Sequence, residues 1–421
     1  MNTPIFKPAD ILLAKTDMTK FCVVACDQYT SEPEYWNEVR AFVGEEPSAL
    51  NLVFPEADFK TADFDGRIAS INDSMQKYLD ADLFSALENS FIYVERTLRN
   101  GAVRHGLIGM LDLEAYDYAK GSQSRIRATE GTVLERIPPR VKIRKNAPLE
   151  LPHVLLLIDD RDRTVIEPLT AKANTFTPVY DFDMMQNSGH LKGWKLDDGS
   201  VCAVMDALNA LGEKDAFEAR YGVADREVLQ YAVGDGNHSL ATAKQCYREL
   251  KEEIGEEAAR NHPARYALVE LGNLHDESLE FEAIHRVMFG IDPKHVKTAF
   301  ASRFILADEA SEVAQRIDII KGDSTETVYI TNPSRNLAVG SLQDFIDAYL
   351  AENSGEVDYI HGEDVVRALS KQNDALGFIL EPMEKNDLFK TVILDGALPR
   401  KTFSMGEACD KRFYCEARKI R

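Results

Sequence analysis

Asp235-Gly236-Asn237-His238-Ser239 gathers a carboxylate, an amide, an imidazole and a hydroxyl around one glycine. Residues of these types suit phosphate chemistry if they sit where a strand hands over to a helix. The flanks supply that handover. Leu229 to Val233 reads as a short apolar strand closed by Gly234, and Leu240, Ala243, Tyr247, Leu250 and Ile254 then recur at three- and four-residue steps. Lys244, Arg248, Glu249, Lys251 and Glu252 fall between them, which is the pattern of an amphipathic helix. The first N–H groups of such a helix lack internal partners and favour an anion. Asn237 or Ser239 is the expected cap, Asp235 the candidate holder of a divalent cation, and His238 the candidate proton exchanger. The same residues also compose an ordinary turn, and a histidine at a helix start is often only a cap. Gly234-x-Gly236-x-x-Ser239 lacks the third glycine of a dinucleotide fingerprint, and no P-loop sequence occurs.

Other groups could join this turn. Asp27 ends a predicted strand from Phe21 to Ala25, as Asp235 ends its own, and Glu32 lies just beyond it at the start of a predicted helix. There Thr30 or Ser31 is the expected cap and Pro33 suits the first turn. Between Ser124 and Asn146 an acidic protein reverses sign, with Arg125, Arg127, Arg136, Arg140, Lys142, Arg144 and Lys145 against Glu130 and Glu135. Arginine forks grip phosphate or carboxylate; the competing reading is a solvated basic face that pairs with acidic neighbours. Glu130 is a candidate base, metal ligand or arginine partner. His285 with Arg286, and Lys401 near the C-terminus, are further candidates; each has a bland reading as a core or surface residue.

The elements that must position these groups alternate along the chain. A helix is predicted from about Phe64 to Leu87, a hairpin joins Phe91–Arg99 to Val103–Leu111 around Asn100-Gly101, and a second hairpin joins His153–Ile158 to Thr164–Glu167. With 421 residues, 44% of them hydrophobic, the chain is expected to be α+β or mixed α/β with interleaved cores. Residues 1–292 are expected to form the core with the glycine turn and basic loop. Residues 293–421 are expected to be a C-terminal α/β portion that returns Lys401 to it. A net charge of −21 argues against general affinity for nucleic acid or anionic membrane. No apolar run is long enough to span a bilayer and the N-terminus has no signal-peptide pattern, so a cytoplasmic protein is expected. Six cysteines without metal or redox spacing read as free thiols.

Together, Val24-Ala-Cys-Asp-Gln-Tyr-Thr-Ser-Glu-Pro-Glu-Tyr-Trp36, Arg127-Ala-Thr-Glu-Gly-Thr132 with Arg136 and Arg140, Gly234-Asp-Gly-Asn-His-Ser239, Ile284-His-Arg286 and Pro399-Arg-Lys-Thr402 resemble one family. It is the bacterial and archaeal group named for domain of unknown function 1015, and the resemblance covers nearly the whole chain. The family's usual glycine motif, Asp-Gly-His-His-Arg, is in turn similar to an element of the ParB and sulfiredoxin fold, whose members include free-serine kinases. That likeness implies a ParB/sulfiredoxin-like core with large insertions, in which Asp235, Gly236, Asn237, His238 and Ser239 line a nucleotide site. Here Asn237 replaces the usual histidine and Ser239 the usual arginine. Arg127, Arg136 or Arg140 would then supply the missing cation.

The expected function is a magnesium-dependent phosphotransferase that moves phosphate from ATP or ADP to a small hydroxylated metabolite such as serine. Asp235 would hold magnesium, and Asp27, Glu32 or Glu130 would take the acceptor's proton. The partners are a nucleotide and a small metabolite, with no nucleic acid and no membrane; a homo-oligomer is compatible with the sequence. Two other functions compete: a nucleotide-binding regulator without turnover, and a metal-dependent hydrolase of a phosphorylated or carboxylated metabolite using Asp27, Glu130, His238 and His285.

Overall fold

In the computed structural model, which describes residues 4–119, 121–311 and 314–421, Asn100-Gly101 closes the expected hairpin. Ile92–Thr97 pairs antiparallel with Val103–Asp112, with Thr97 facing Val103, and Gly101 takes the positive φ of 84° that the turn requires. This hairpin lies within a mixed sheet of nine strands among the described residues. Across it run Thr177–Asp183, His190–Lys195, Ile92–Thr97, Val103–Asp112, Tyr266–Asn273, Leu155–Ile158, Tyr231–Asp235 and Ile126–Ala128, while Phe6–Lys7 pairs with the far end of Val103–Asp112. Most neighbours are antiparallel, but Tyr266–Asn273 runs parallel to Leu155–Ile158, and Tyr231–Asp235 parallel to Ile126–Ala128. The class is therefore mixed α+β.

Two compact units divide the chain. One comprises Met1–Leu279 with Glu407–Arg421, the other Glu280–Gly406. The first unit also holds a four-stranded sheet, Phe84–Ser90, Ala9–Ala14, Glu416–Lys419 and Leu149–Glu150, and a ribbon in which Val23–Val24 pairs with Phe413–Tyr414. The C-terminal segment is thus built into the first unit. The second unit carries an antiparallel sheet of six strands, ordered Leu306–Ala307, Ser324–Ile330, Gln315–Lys321, Leu376–Ile379, His285–Phe289 and Glu356–Ile360. Helices Pro293–Arg303 and Ala338–Glu352 bury Phe300, Phe345 and Ile346 with it. Asp292 caps the first of these helices through its bond from the Lys294 N–H.

Several local expectations need correction. The helix starting at Phe64 stops at Asp80, and Phe84–Ser90 is a strand, because its backbone completes the edge of Ala9–Ala14. No second hairpin forms. Leu155–Ile158 already has Tyr231–Asp235 on one side and Tyr266–Asn273 on the other, and Thr164–Ile166 is a loop held by the Asp160 carboxylate, which accepts the Thr164 and Val165 N–H groups at 2.6 and 2.8 Å. The strand predicted from Phe21 shrinks to Val23–Val24, after a short helix Met18–Phe21 capped by Asp17. Pro33 does open its helix, yet the N-cap is Glu32 and no side chain bonds there.

Candidate functional site

The sheet delivers Asp235 to the end of its strand and the chain turns at once into the helix Asn237–Ile254. Gly234 marks a break in register opposite Leu155 and Leu156, a bulge that re-aims the strand end. Gly236 is the N-cap, at φ 79°, and neither Asn237 nor Ser239 caps the helix as expected. The site demands glycine twice over, since a Cβ here would lie 3.0 Å from Val154 Cα as well as adopting a left-handed conformation. The uncapped first turn leaves the N–H groups of Asn237, His238 and Ser239 without intrahelical acceptors. Leu240, Ala243 and Tyr247 of the predicted stripe are buried and anchor the helix, whereas Ile254 is exposed.

Around this turn the fold collects charge from four segments. Asp235 Oδ1 accepts its neighbour Gly236 N–H at 2.8 Å, and Oδ2 meets Lys411 Nζ at 3.2 Å. Lys411 arrives because the C-terminal segment is clamped: Arg96 donates to the Cys409 and Lys411 carbonyls, Arg104 to that of Asp410, and buried Arg412 pairs with Glu270 at 2.9 Å and with Glu416. Lys411 also bears on Asp27. Burial pushes the Asp27 carboxyl up, but His153, the Gln28 amide and Lys411 outweigh it and hold the group below the usual carboxylate range. Lys411 thus pairs with Asp235 and also helps to hold the Asp27 carboxyl down.

His238 is the second chemical element. Burial, reinforced by Arg140 and Arg136, pulls its imidazole down to about 4, so it is neutral at physiological pH and its Nε2 accepts the Val133 N–H at 3.2 Å. That bond ties the basic loop to the glycine turn. Thr129 adds a second tie by donating to the Val233 carbonyl at 2.7 Å, which brings the loop carrying Glu130 to the same strand end as Asp235. Arg140 pairs with Glu56, whose carboxyl is raised by burial despite that partner. A third element is a chain of hydrogen bonds: Ser239 Oγ to His153 Nε2 at 2.7 Å, and His153 Nδ1 to the Tyr414 hydroxyl at 2.6 Å.

These residues suit a phosphate-bearing ligand. Free helix N–H groups, Lys411, Arg136 and Arg140 supply positive potential. Asn237 Oδ1 and Thr132 Oγ1 are buried without a hydrogen-bond partner and await a polar group. Among the described residues no three His, Cys, Asp or Glu side chains cluster to hold a metal ion. A magnesium ion needs fewer protein ligands when phosphates complete its shell, and a strand-end carboxylate beside a phosphate site meets that requirement.

The model of a family described as "Protein of unknown function (DUF1015)" matches residues 6–364. The chain belongs to this family. A search of curated proteins finds no match. Among solved structures, SbnI with C-terminal truncation from Staphylococcus aureus is 11% identical, covering 73% of this chain and 85% of that one, with a TM-score of 0.34. A free serine kinase mutant in complex with ADP is 10% identical, covers 74% and 91%, and scores 0.37. A conserved hypothetical protein from Pyrococcus furiosus is also 10% identical, covers 74% and 94%, and scores 0.35. Likeness at this level fixes neither ligand nor reaction.

In this DUF1015 chain the candidates read from sequence separate into groups. Asp27, Glu130, Arg136, Arg140, Gly234, Asp235, Gly236, Asn237, His238 and Ser239 lie on the strand ends, loop and helix turn just described. Arg127 is buried and spends its guanidinium on the carbonyls of Ser124 and Glu227, the latter before the start of the Tyr231–Asp235 strand. Glu32 is an exposed N-cap. His285, Arg286 and Lys401 belong to the second unit. There His285 Nδ1 accepts the Leu380 N–H at 3.3 Å, and fully buried Arg286 donates to the Ile284 and Arg400 carbonyls. Lys401 is exposed at a positive φ of 56°. Sequence reasoning missed Lys411, His153, Glu56 and Tyr414.

Proposed function

We propose that this protein is a phosphotransferase that moves a phosphoryl group from ATP or ADP, with magnesium, to the hydroxyl of a small metabolite. The observation that carries the reading is the pairing of Lys411 with Asp235 at the strand end beside an uncapped helix turn. Carboxylates to orient a hydroxyl and a metal, cations to receive phosphate and free N–H donors are the parts that in-line phosphoryl transfer needs, since that reaction depends mainly on positioning and charge. The turn's likeness to the ParB and sulfiredoxin element supports the nucleotide half of the reading.

Asp235 would hold magnesium, which when bound would neutralise charge on the phosphates. The N–H groups of Asn237 to Ser239 bind phosphate oxygens, and Arg136 and Arg140 offset charge that develops on the transferred group. Neutral His238 keeps the basic loop against the turn through Val133. Asp27 orients the acceptor hydroxyl and takes its proton as the new oxygen–phosphorus bond forms; the bond to the bridging oxygen breaks and its electron pair leaves with the shortened nucleotide. Glu130 is placed to assist from the adjoining loop.

The test is mass spectrometry of a metabolite extract incubated with purified protein, magnesium and ATP or ADP, with Asp235→Asn as control. A new phosphorylated species made only by the parent protein supports the reading and names the acceptor. Nucleotide binding without any product would reassign the site to a regulator.

A further inference from the structure

Behind the glycine turn, within the first unit, lies a cavity of about 150 Å³. Leu52, Phe54, Met75, Ile143, Leu240 and Ala243 form much of its wall, from four segments of the chain. Its charged residues are already matched: Glu56 pairs with Arg140, and Glu150 with Arg144 and Arg418. No side chain on that wall is left with an uncompensated charge for an ionic ligand. The polar head of the cavity is the hydrogen-bonded chain of Ser239, His153 and Tyr414, and Cys26 beside it is the residue immediately before Asp27.

We propose that this cavity receives the phosphoryl acceptor, and that the acceptor is a small alcohol with an uncharged, apolar body whose hydroxyl meets Ser239, which His153 holds in place. The inference rests on the phosphotransferase reading and narrows its substrate class. Size supports it, because an apolar cavity of about 150 Å³ holds a benzene-sized molecule. Chemistry supports it as well. Free serine carries an ammonium and a carboxylate, both costly to bury without partners, whereas a lone hydroxyl needs one partner, and Ser239 Oγ keeps a spare lone pair beyond its bond with His153. Ser239 lies both on the cavity wall and in the first turn of the helix, so a hydroxyl bonded to it would lie beside the proposed phosphate site.

Calorimetric titration with benzyl alcohol, toluene and ADP tests this. Benzyl alcohol should bind the parent protein saturably and at least about tenfold more tightly than toluene, and Ser239→Ala should remove most of that difference. Ala243→Leu, which fills the cavity from the helix, should weaken benzyl alcohol about tenfold or more while ADP binding changes by less than about twofold. Ile143→Phe fills it from the opposite wall and serves if Ala243→Leu misfolds. Undiminished benzyl alcohol binding in a folded filled variant, or no saturable binding to the parent, overturns the proposal. If ADP still binds in that case, the nucleotide reading survives. Benzyl alcohol binding by a parent protein that binds no nucleotide would instead remove the acceptor role and the phosphotransfer reading together.

Discussion

Removing Lys411 should unsettle both Asp235 and Asp27, and the cost can be worked from the structure. Its Nζ lies 3.2 Å from Asp235 Oδ2, and the two side chains are 19% and 29% exposed. At an effective dielectric of about 20 the attraction at this distance is about 5 kcal/mol, most of which desolvation and screening cancel. Exposed pairs retain about 0–1 kcal/mol, while stripping one partner from a fully buried pair costs about 3–5 kcal/mol. Lys411→Met should therefore cost about 1–2 kcal/mol. Asp27 adds to this, because it loses one of the groups that hold its carboxyl down. Asp235→Asn in the same background should cost little more, for a coupling of about 1–2 kcal/mol in a double-mutant cycle. Urea unfolding followed by tryptophan fluorescence reads this directly, since Trp36 and Trp194 are the chain's two tryptophans and both lie in the first unit. A coupling below about 0.3 kcal/mol would mean that the pair is not a physical unit and would refute the argument built on it.

Three further outcomes follow from the turn. His238 has a pKa lowered from 6.5 to about 4, so the unfolded chain takes up a proton first as pH falls, and the stability contributed by the neutral ring is complete above about pH 6.5 and lost by about pH 4. After discounting for its partial exposure this is about 1–2 kcal/mol. His238→Gln should flatten that part of the stability profile measured by urea unfolding at pH 7 and pH 4.5; an unchanged slope would count against it. Gly236→Ala should destabilise by at least about 2 kcal/mol, from the left-handed backbone and the contact with Val154, and a neutral effect on the melting temperature would contradict the geometry. Burial raises the Cys26 thiol to about 12 and also raises that of Cys22, so iodoacetamide at pH 8 should label exposed Cys202 well before either; early labelling of Cys26 would show that the site opens.

What could be read from sequence was local. The Asn100-Gly101 hairpin and the change of period at Asp235-Gly236 each depend on a few adjacent residues, and both appear in the structure. The second hairpin failed for a nonlocal reason, since the neighbours of Leu155–Ile158 come from Tyr231–Asp235 and Tyr266–Asn273. The Phe64 helix was drawn too long because nothing near Asp80 announces that the next segment must satisfy the edge of Ala9–Ala14. The same distinction divides the site. The glycine turn was visible as a strand end, Asp27 was read as another but lies in the turn beyond Val23–Val24, and Lys411 is delivered by a ribbon that joins Val23–Val24 to Phe413–Tyr414, across almost the whole chain. His153 likewise looked like the first residue of a strand, and its contact with Ser239 depends on the close approach that Gly236 permits. Arg127 shows the reverse case: a basic island promised phosphate ligands, and this member gives its Nε and Nη2 to backbone carbonyls while its buried Nη1 has no hydrogen-bond partner.

The most direct test of the central claim is amide NMR of the isotope-labelled full chain during titration with magnesium and ADP. The account predicts saturable shifts in the amides of Gly236, Asn237, His238 and Ser239, with Val133 moving in step, and loss of those shifts in Asp235→Asn. No saturable change at that turn, or changes confined to residues of the second unit, would contradict it.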